Sequence, residues 1–333
     1  MNFINLRSVF NRKVRAKNPL LFIYKHVSNK LKMEFYDKIY NKIFNLLDFL
    51  NLENIIYYLS IAPVMLLIEL IIVGWDESSL KKITQYKKST RTDVFFYILD
   101  VLNIYNLITV VISFGIFHIL ARLIYEATAF ELISTIYNPY IQFTVLFIFS
   151  DLKNYFSHYI FHRYKTLWSL HEFHHSATQF CMLTRHRGHF LETALKRMID
   201  VIPFAIFGSI ETYFIVKVLT EIHQLVLHSS IKSDWGFIGR YIFVSPSAHR
   251  IHHSIKREHY GKNFGNTFIF WDRLFKTYQP KTIVEKLGVE KNPYNKDGVF
   301  KDIFKVIIRF FRYLKSDIKE ILTKSVANNV YKK

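Results

Sequence analysis

The sequence predicts an all-α integral membrane helical bundle of about four membrane helices, closed on its cytoplasmic side by a histidine-rich helical cap. Three observations predict it. Half of the 333 residues are hydrophobic, with 32 Phe and 21 Tyr, too apolar for an ordinary soluble enzyme. The long apolar runs are flanked by Lys and Arg. The 15 His gather largely in groups whose spacing places them on single helix faces.

A spanning helix needs roughly 20 largely apolar residues. Ile55 to Val73 meets that need, with Glu69 its single charge and Pro63 a potential kink. A second candidate runs from about Val101 to Ala121, and a third begins after Pro139 and continues through Phe149 into a polar stretch from Asp151. Ile199 to Leu227 is apolar but interrupted by Pro203, Gly208, Glu211 and Lys217, which predicts two short helices in a hairpin dipping into the membrane. The first thirty residues hold no apolar run followed by a small-residue cleavage site, so insertion is expected to rely on these internal segments.

The chain divides accordingly into four parts. A basic segment, 1–54, could form an interfacial helix; membrane helices follow over 55–138; the histidine-rich region occupies 139–280; and 281–333 carries a basic amphipathic helix. In that last part Phe300, Ile303, Phe304, Ile307, Ile308, Phe311, Leu314, Ile318 and Ile321 recur at helical spacing, with Lys and Arg between them. Such a helix fits either packing on its own domain or lying on a membrane surface.

Charge sets the orientation. The loop read between the first two membrane candidates, Asp76 to Asp93, carries Lys81, Lys82, Lys87, Lys88 and Arg91, which assigns it to the cytoplasm. The third helix then ends on the cytoplasmic side and delivers the histidines there. The same parity places the basic N-terminal fifty residues outside, against the charge rule, unless the first apolar segment is re-entrant. The net charge of +19 is read as membrane-surface charge, not as a nucleic-acid footprint, because the cations border apolar runs.

The single cysteine, Cys181, excludes a disulfide framework and a cysteine-rich metal site, so any metal falls to His or carboxylate. His158 and His162 lie four apart and share a helix face. His171, His174 and His175 have i, i+3, i+4 spacing, and His249, His252 and His253 repeat it. Ser245-Pro246 just ahead of the second triplet predicts a capped helix start. His228, with His223 five residues earlier, closes the apolar hairpin. Burying so many imidazoles without a shared ligand would leave polar nitrogens unsatisfied, and eight to ten imidazoles exceed what one ion takes, so the ensemble implies two metal ions.

Imidazole suits iron, zinc and copper alike. His171-Glu172-Phe173-His174-His175 also satisfies H-E-x-x-H, the pattern of a zinc metalloprotease with Glu172 as general base. An intramembrane protease of that kind is the alternative reading. It accounts for neither the H-x-x-x-H pair nor the second triplet, where Arg250 stands in the position of Glu172.

The order H-x3-H, H-x2-H-H, a mid-chain His, then H-x2-H-H resembles the fatty acid hydroxylase superfamily, which includes sterol desaturases and sphingolipid hydroxylases. The likeness covers about Pro139 to Tyr278. It extends to Asp151 to Tyr155, Leu167-Trp168, His174-His175-Ser176, Pro246-Ser247, Lys262-Asn263-Phe264-Gly265 and Trp271-Asp272-Arg273-Leu274-Phe275. Thr184 to Glu192 is similar to a stretch of the bacterial sterol-desaturase-like and alkylglycerol-monooxygenase-like branch. Two positions depart from the pattern. Gln224 stands where a histidine four before His228 is common, which leaves His223, Gln224 or His189 as the partner of His228; Lys276 replaces the usual glycine of the closing stretch.

The resemblance implies a di-iron site facing the cytoplasm, with His158, His162, His171, His174, His175, His228, His249, His252 and His253 as ligands and His223 and His189 as less certain ones. It implies an oxidoreductase that uses O2 to hydroxylate or desaturate a C–H bond of a fatty acyl, sterol or related lipid, chemistry that side chains and zinc cannot supply. Asp151, Glu172 and Glu192 are candidate partners for the distal imidazole N–H groups, with His186 and His189 as further possibilities. No catalytic residue outside the metal site and its partners is expected. No H-P-G-G or flavin motif occurs, so electrons are expected from a separate cytochrome, ferredoxin or reduced pterin. The expected location is a bacterial inner membrane or, alternatively, the endoplasmic reticulum. Sterol, sphingolipid, free fatty acid, alkylglycerol and carotenoid all fit as substrate classes.

Overall fold

The computed structural model describes residues 52–109, 112, 138–207 and 210–330. Within them the regular structure is helical, and the β pairing amounts to two isolated bridges, Phe243 with Phe268 and Ser254 with Leu287. The basic N-terminal segment, His26 and His118 lie outside the described residues.

Helix α1 (Leu52–Glu77) contains Pro63 and is broken near its end by Gly74, whose φ of 72° no continuing helix adopts. Its stretch Leu59–Glu77 is the one described helix long and apolar enough to cross a membrane. About half of the second predicted span, Val101 to Ala121, falls outside the described residues; at its start Leu102 and Asn103 turn the chain out of helix, Asn103 with φ 56°.

Residues 76–93, read from sequence as a loop, are mostly helical. Ser78 caps α2 (Ser79–Gln85) by accepting from Lys81 N, and α3 (Lys88–Val101) follows. The third apolar run does not stop at its polar boundary: α4 (Pro139–Arg163) is continuous, capped by the Asn138 side chain with Pro139 in its first turn. The predicted hairpin is two full helices, α6 (Phe190–Phe207) and α7 (Ile210–Leu227).

The remaining elements are short and stand near the histidines. They are α5 (Lys165–His175), 3-10 turns over Met182–His186 and Arg257–His259, α8 (Gly236–Tyr241), α9 (Pro246–His252) and α10 (Phe270–Leu274). In α9 the expected cap forms, with Ser245 Oγ accepting from Ala248 N at 3.2 Å and Pro246 in the first turn. The C-terminal amphipathic segment is the long α11 (Val299–Val330).

One aromatic core, built of Phe96, Tyr105, Phe161, Phe173, Phe190 and Tyr294 with Val306, joins α3, α4, α5, α6 and α11. Rings meet edge-on within it, as Phe96 does with Phe173 at 5.5 Å and Phe173 with Tyr294 at 5.4 Å, the arrangement ring quadrupoles favour.

Glu69 looks anomalous in an apolar helix until its partners are traced. Its buried carboxylate accepts from Ser79 N and Ser79 Oγ, both at 2.8 Å, and from Ser230 N. Lys82 Nζ reaches Ser230 Oγ at 2.6 Å and Phe180 O at 3.0 Å, while Arg250 Nη2 reaches Ser229 O at 2.7 Å. The apolar helix is thereby fastened to the turn that follows His228.

Lys276 lies in the left-handed region, φ 61°, two residues past the end of α10. A glycine avoids the steric cost of that conformation. Lys276→Gly is therefore expected to raise stability by about 1 kcal/mol, measured as a higher midpoint of thermal unfolding in detergent; an unchanged or lower midpoint would contradict it.

Candidate metal centre

The nine histidines singled out from the sequence converge in two groups. His158, His162, His171, His175 and His252 form one, and His174, His228, His249 and His253 the other. Within each group the nearest ring nitrogens all lie within 4.8 Å of one another. Nitrogens bound to a single ion at about 2.1 Å can be no more than about 4.2 Å apart, so each group is close to the size that one ion would gather. The rings of His175 and His253 stack at 4.0 Å with an interplanar angle of 12°, joining the two groups.

The elements explain the convergence. α4 contributes His158 and His162 one turn apart, and α5 contributes its last turn. α7 ends at His228, and α9 with its C-cap His253 supplies the second triplet. The alternation within each triplet divides its members: His171 and His175 point to the first group, while His174 joins the second. In α9 the split is reversed, with His252 in the first and His249 and His253 in the second.

Main-chain carbonyls orient the rings. The Nδ1 atoms of His158, His174, His228 and His252 lie 2.9, 2.8, 2.9 and 2.8 Å from the carbonyl oxygens of Phe264, Arg187, Gln224 and Lys262. A carbonyl only accepts, so each of these Nδ1 atoms carries the proton and each Nε2 is left with its lone pair facing the centre. His171 Nδ1 donates instead to Glu192 Oε1 at 2.7 Å, and Lys196 balances that carboxylate.

The consequence is visible in the second group. His174 Nε2 and His228 Nε2 stand 3.2 Å apart, yet both are lone-pair nitrogens and cannot bond to each other. His249 Nε2 is 3.0 Å from the same His228 atom. The Nε2 atoms of His162, His171, His175 and His252 in the first group and both nitrogens of His253 in the second are buried with no hydrogen-bond partner. Unmatched buried lone pairs cost free energy, and a Lewis acid among them removes that cost. The residues present fit two cations.

Burial, reinforced by neighbouring imidazoles, holds His158, His162, His171, His175, His249 and His253 well below the ordinary histidine range, and burial with His228 nearby does the same for His174. Burial lowers His228 to about 3 and His252 to about 4. The cage is neutral at physiological pH, the state in which imidazole binds metal.

Of the three carboxylates proposed as imidazole partners, Glu192 touches a histidine and the other two bind elsewhere. Asp151 accepts from Thr267 N, Phe268 N and Trp271 Nε1 at 2.9, 3.0 and 3.0 Å. Glu172 is half-paired with Tyr294 and receives Arg309 Nη2 at 2.7 Å, away from both groups. His223 Nε2 donates to Val244 O at 3.1 Å, Gln224 Nε2 to Asn266 O at 2.8 Å, and His189 Nδ1 accepts from Leu191 N. None of these three enters either group. His186 is bound to Asp100 at 2.7 Å.

Sequence reasoning missed what holds the cage. Asp272 accepts from Phe264 N and Gly265 N at 2.7 and 2.8 Å and thereby places the Phe264 carbonyl under His158. A Cβ on Gly265 would meet Phe268 O and Asp272 Oδ2 at 2.8 Å, so the close approach requires glycine there. Asn263, at φ 54°, ties Ala248 to Gln279 through its side chain. Arg187, fully buried, is paired with Asp93 at 2.7 Å and also reaches Ser89, Ser176 and Asn295, which fixes the carbonyl under His174.

Residues 143–277, which include all nine histidines, match the fatty acid hydroxylase family. The matched domain covers about two fifths of the chain. The domain is similar to an alkylglycerol monooxygenase of Caenorhabditis elegans, 31% identical over 131 residues, which is 39% of this chain and 26% of that protein. It is similar to an ornithine lipid hydroxylase of Rhizobium tropici, 26% identical over 43% of this chain and 44% of the relative. An alkylglycerol monooxygenase of Xenopus tropicalis is 25% identical over 77% of this chain and 54% of its own length. The chain thus spans about a quarter to a half of the curated relatives it matches. No solved structure matches it.

The lowered histidine pKa values carry a sign. The unfolded chain takes up protons below about pH 6.5 that the folded histidine cage refuses until about pH 4 at His252, so the unfolded state binds more protons and stability rises with pH. The metal-free protein should lose stability progressively as pH falls from about 6.5 toward 4, read from thermal unfolding after chelation. A flat profile over that window would mean that the rings are not held neutral.

Proposed function

We propose that the chain is a membrane-bound, O2-dependent oxidoreductase that hydroxylates or desaturates the hydrocarbon part of a lipid at a di-iron centre. The observation that carries this reading is the division of nine neutral imidazoles into five and four, with lone pairs converging in each group. Each group is large enough for one ion and leaves room in a four-to-six coordination sphere. The named activities of the similar proteins, alkylglycerol monooxygenase and ornithine lipid hydroxylase, favour a polar lipid as the substrate class.

In this proposal His158, His162, His171, His175 and His252 hold one ion and His174, His228, His249 and His253 the other. Bound iron supplies the redox chemistry toward O2 and an unactivated C–H bond that no side chain provides. The chain's own contribution is positional. Carbonyls and Glu192 keep the protons on the outer ring nitrogens, so the inner ones stay available. Phe264, Trp168 and Phe180 pack against the rings and exclude water. A separate reductant delivers the electrons.

The protease alternative places its general base at Glu172. That carboxylate is tied to Arg309 of α11 at 2.7 Å, and both histidines of the motif belong to a group of five, which no mononuclear zinc site requires.

The test is elemental analysis of protein purified in detergent after anaerobic iron loading. About two irons per chain, retained in Glu172→Gln, is the expected result. His228→Ala should bring the count to about one, because four ligands become three. One zinc per chain, with proteolysis abolished in Glu172→Gln, would reverse the reading. If iron is found, incubation of the reduced protein with membrane lipid under labelled O2 should place labelled oxygen in a lipid product.

A further inference from the structure

Helix α11 has three faces, although an amphipathic helix needs two. At about 100° per residue, Asp302 and Val306 lie on a buried side, together with Arg309 bonded to Glu172 and Asp317 bonded to Thr166 Oγ1 at 2.6 Å. This side packs on α5.

A second side is apolar and uncovered. Phe300, Phe304, Ile308, Phe311, Ile318 and Leu322 are 68, 64, 57, 57, 49 and 60% exposed and fall within an arc of about 80°. The stripe runs for about 33 Å along one helix. Isolated exposed apolar residues need no explanation, but a contiguous stripe of this length does.

The third side identifies the occupant. Lys301, Arg312 and Lys319 form a row along one border of the stripe, with Lys315 set within its arc, and the helix as a whole carries seven Lys and Arg against three Asp and Glu. Two of the acids, Asp302 and Asp317, are turned to the protein body, where Asp302 accepts from Asn295 N at 2.8 Å. A narrow apolar ridge bordered by cations matches the boundary between acyl chains and anionic headgroups. A second copy of the chain would bring an identical cation row against the first.

We propose that α11 is an interfacial helix, its Phe300-to-Leu322 stripe immersed in the surface of an anionic bilayer and its lysine and arginine border on the lipid phosphates. Through Arg309 and Glu172, the helix on the membrane surface is tied directly to the helix that bears His171, His174 and His175. The inference is independent of which metal the histidines hold.

The test uses the full chain in lipid nanodiscs with an environment-sensitive fluorophore on single cysteines. Phe304→Cys, Phe311→Cys and Ile318→Cys sample the stripe and Ser316→Cys the far exposed side; the native Cys181 is buried and does not compete for label. In phosphatidylglycerol discs, spin-labelled lipid should quench the stripe positions about twofold or more and leave Ser316→Cys unchanged. Quenching should weaken in phosphatidylcholine discs and in the Lys301→Glu, Arg312→Glu, Lys319→Glu triple variant. Thermal unfolding of each variant verifies that it is folded. Unquenched stripe labels in anionic discs would overturn the proposal, and equal quenching in both lipids would remove its anionic part. Disulfide crosslinks between stripe cysteines of two chains would assign the face to a second copy instead.

Discussion

The arrangement of the centre depends on one asymmetry of the peptide group: a main-chain carbonyl can accept a hydrogen bond but never donate one. Four histidines rest on such carbonyls, at Phe264, Arg187, Gln224 and Lys262. Each contact fixes a tautomer and a ring direction together. A carboxylate could do the same, as Glu192 does for His171, but it would add a buried negative charge at each position. Carbonyls orient the rings without that charge, and the cage is correspondingly neutral.

Much of the surrounding structure serves to hold those carbonyls. Asp272 and Asp151 bind consecutive amides on either side of Asn266, from different helices. Trp271 and Tyr155 pack against Phe264 in one small cluster, and Tyr155 Oη meets Thr277 at 2.8 Å. On the opposite side, the buried Arg187–Asp93 pair performs that service for His174. A buried ion pair is weak evidence of stabilisation, but its geometry is specific, and here it determines where one peptide unit stands.

The histidines were legible in the sequence because helix periodicity is: residues three and four apart share a face whatever lies around them. Periodicity also found α1, α4 and the stripe of α11, and Ser245-Pro246 announced α9. It could not say which member of a triplet serves which group, since that depends on how α5 and α9 cross. Nor could it find the carbonyls, because every residue has one and no residue type marks those that matter. Lys262-Asn263-Phe264-Gly265 and Trp271-Asp272 were visible as family-like stretches without a physical role. The structure supplies one: they shape the loop that presents two carbonyls, at Lys262 and Phe264. Asp151 and Glu172 illustrate the opposite failure. A carboxylate close in sequence to a histidine looks like its partner, yet helix geometry turns Glu172 toward α11 and away from His171.

Because the orienting atoms at Phe264 and Lys262 belong to the backbone, replacing either side chain leaves the contact to histidine in place. A scan by alanine would pass over Lys262, would credit Phe264 only with its buried ring, and would assign the loop's importance to Asp272, Asn263 and Gly265, which merely hold it. The atoms themselves would become visible only to chemistry that alters the main chain, such as replacing the amide with an ester, whose carbonyl is a weaker acceptor. In this fold, a tolerant position in a mutational map and an unimportant one are different things.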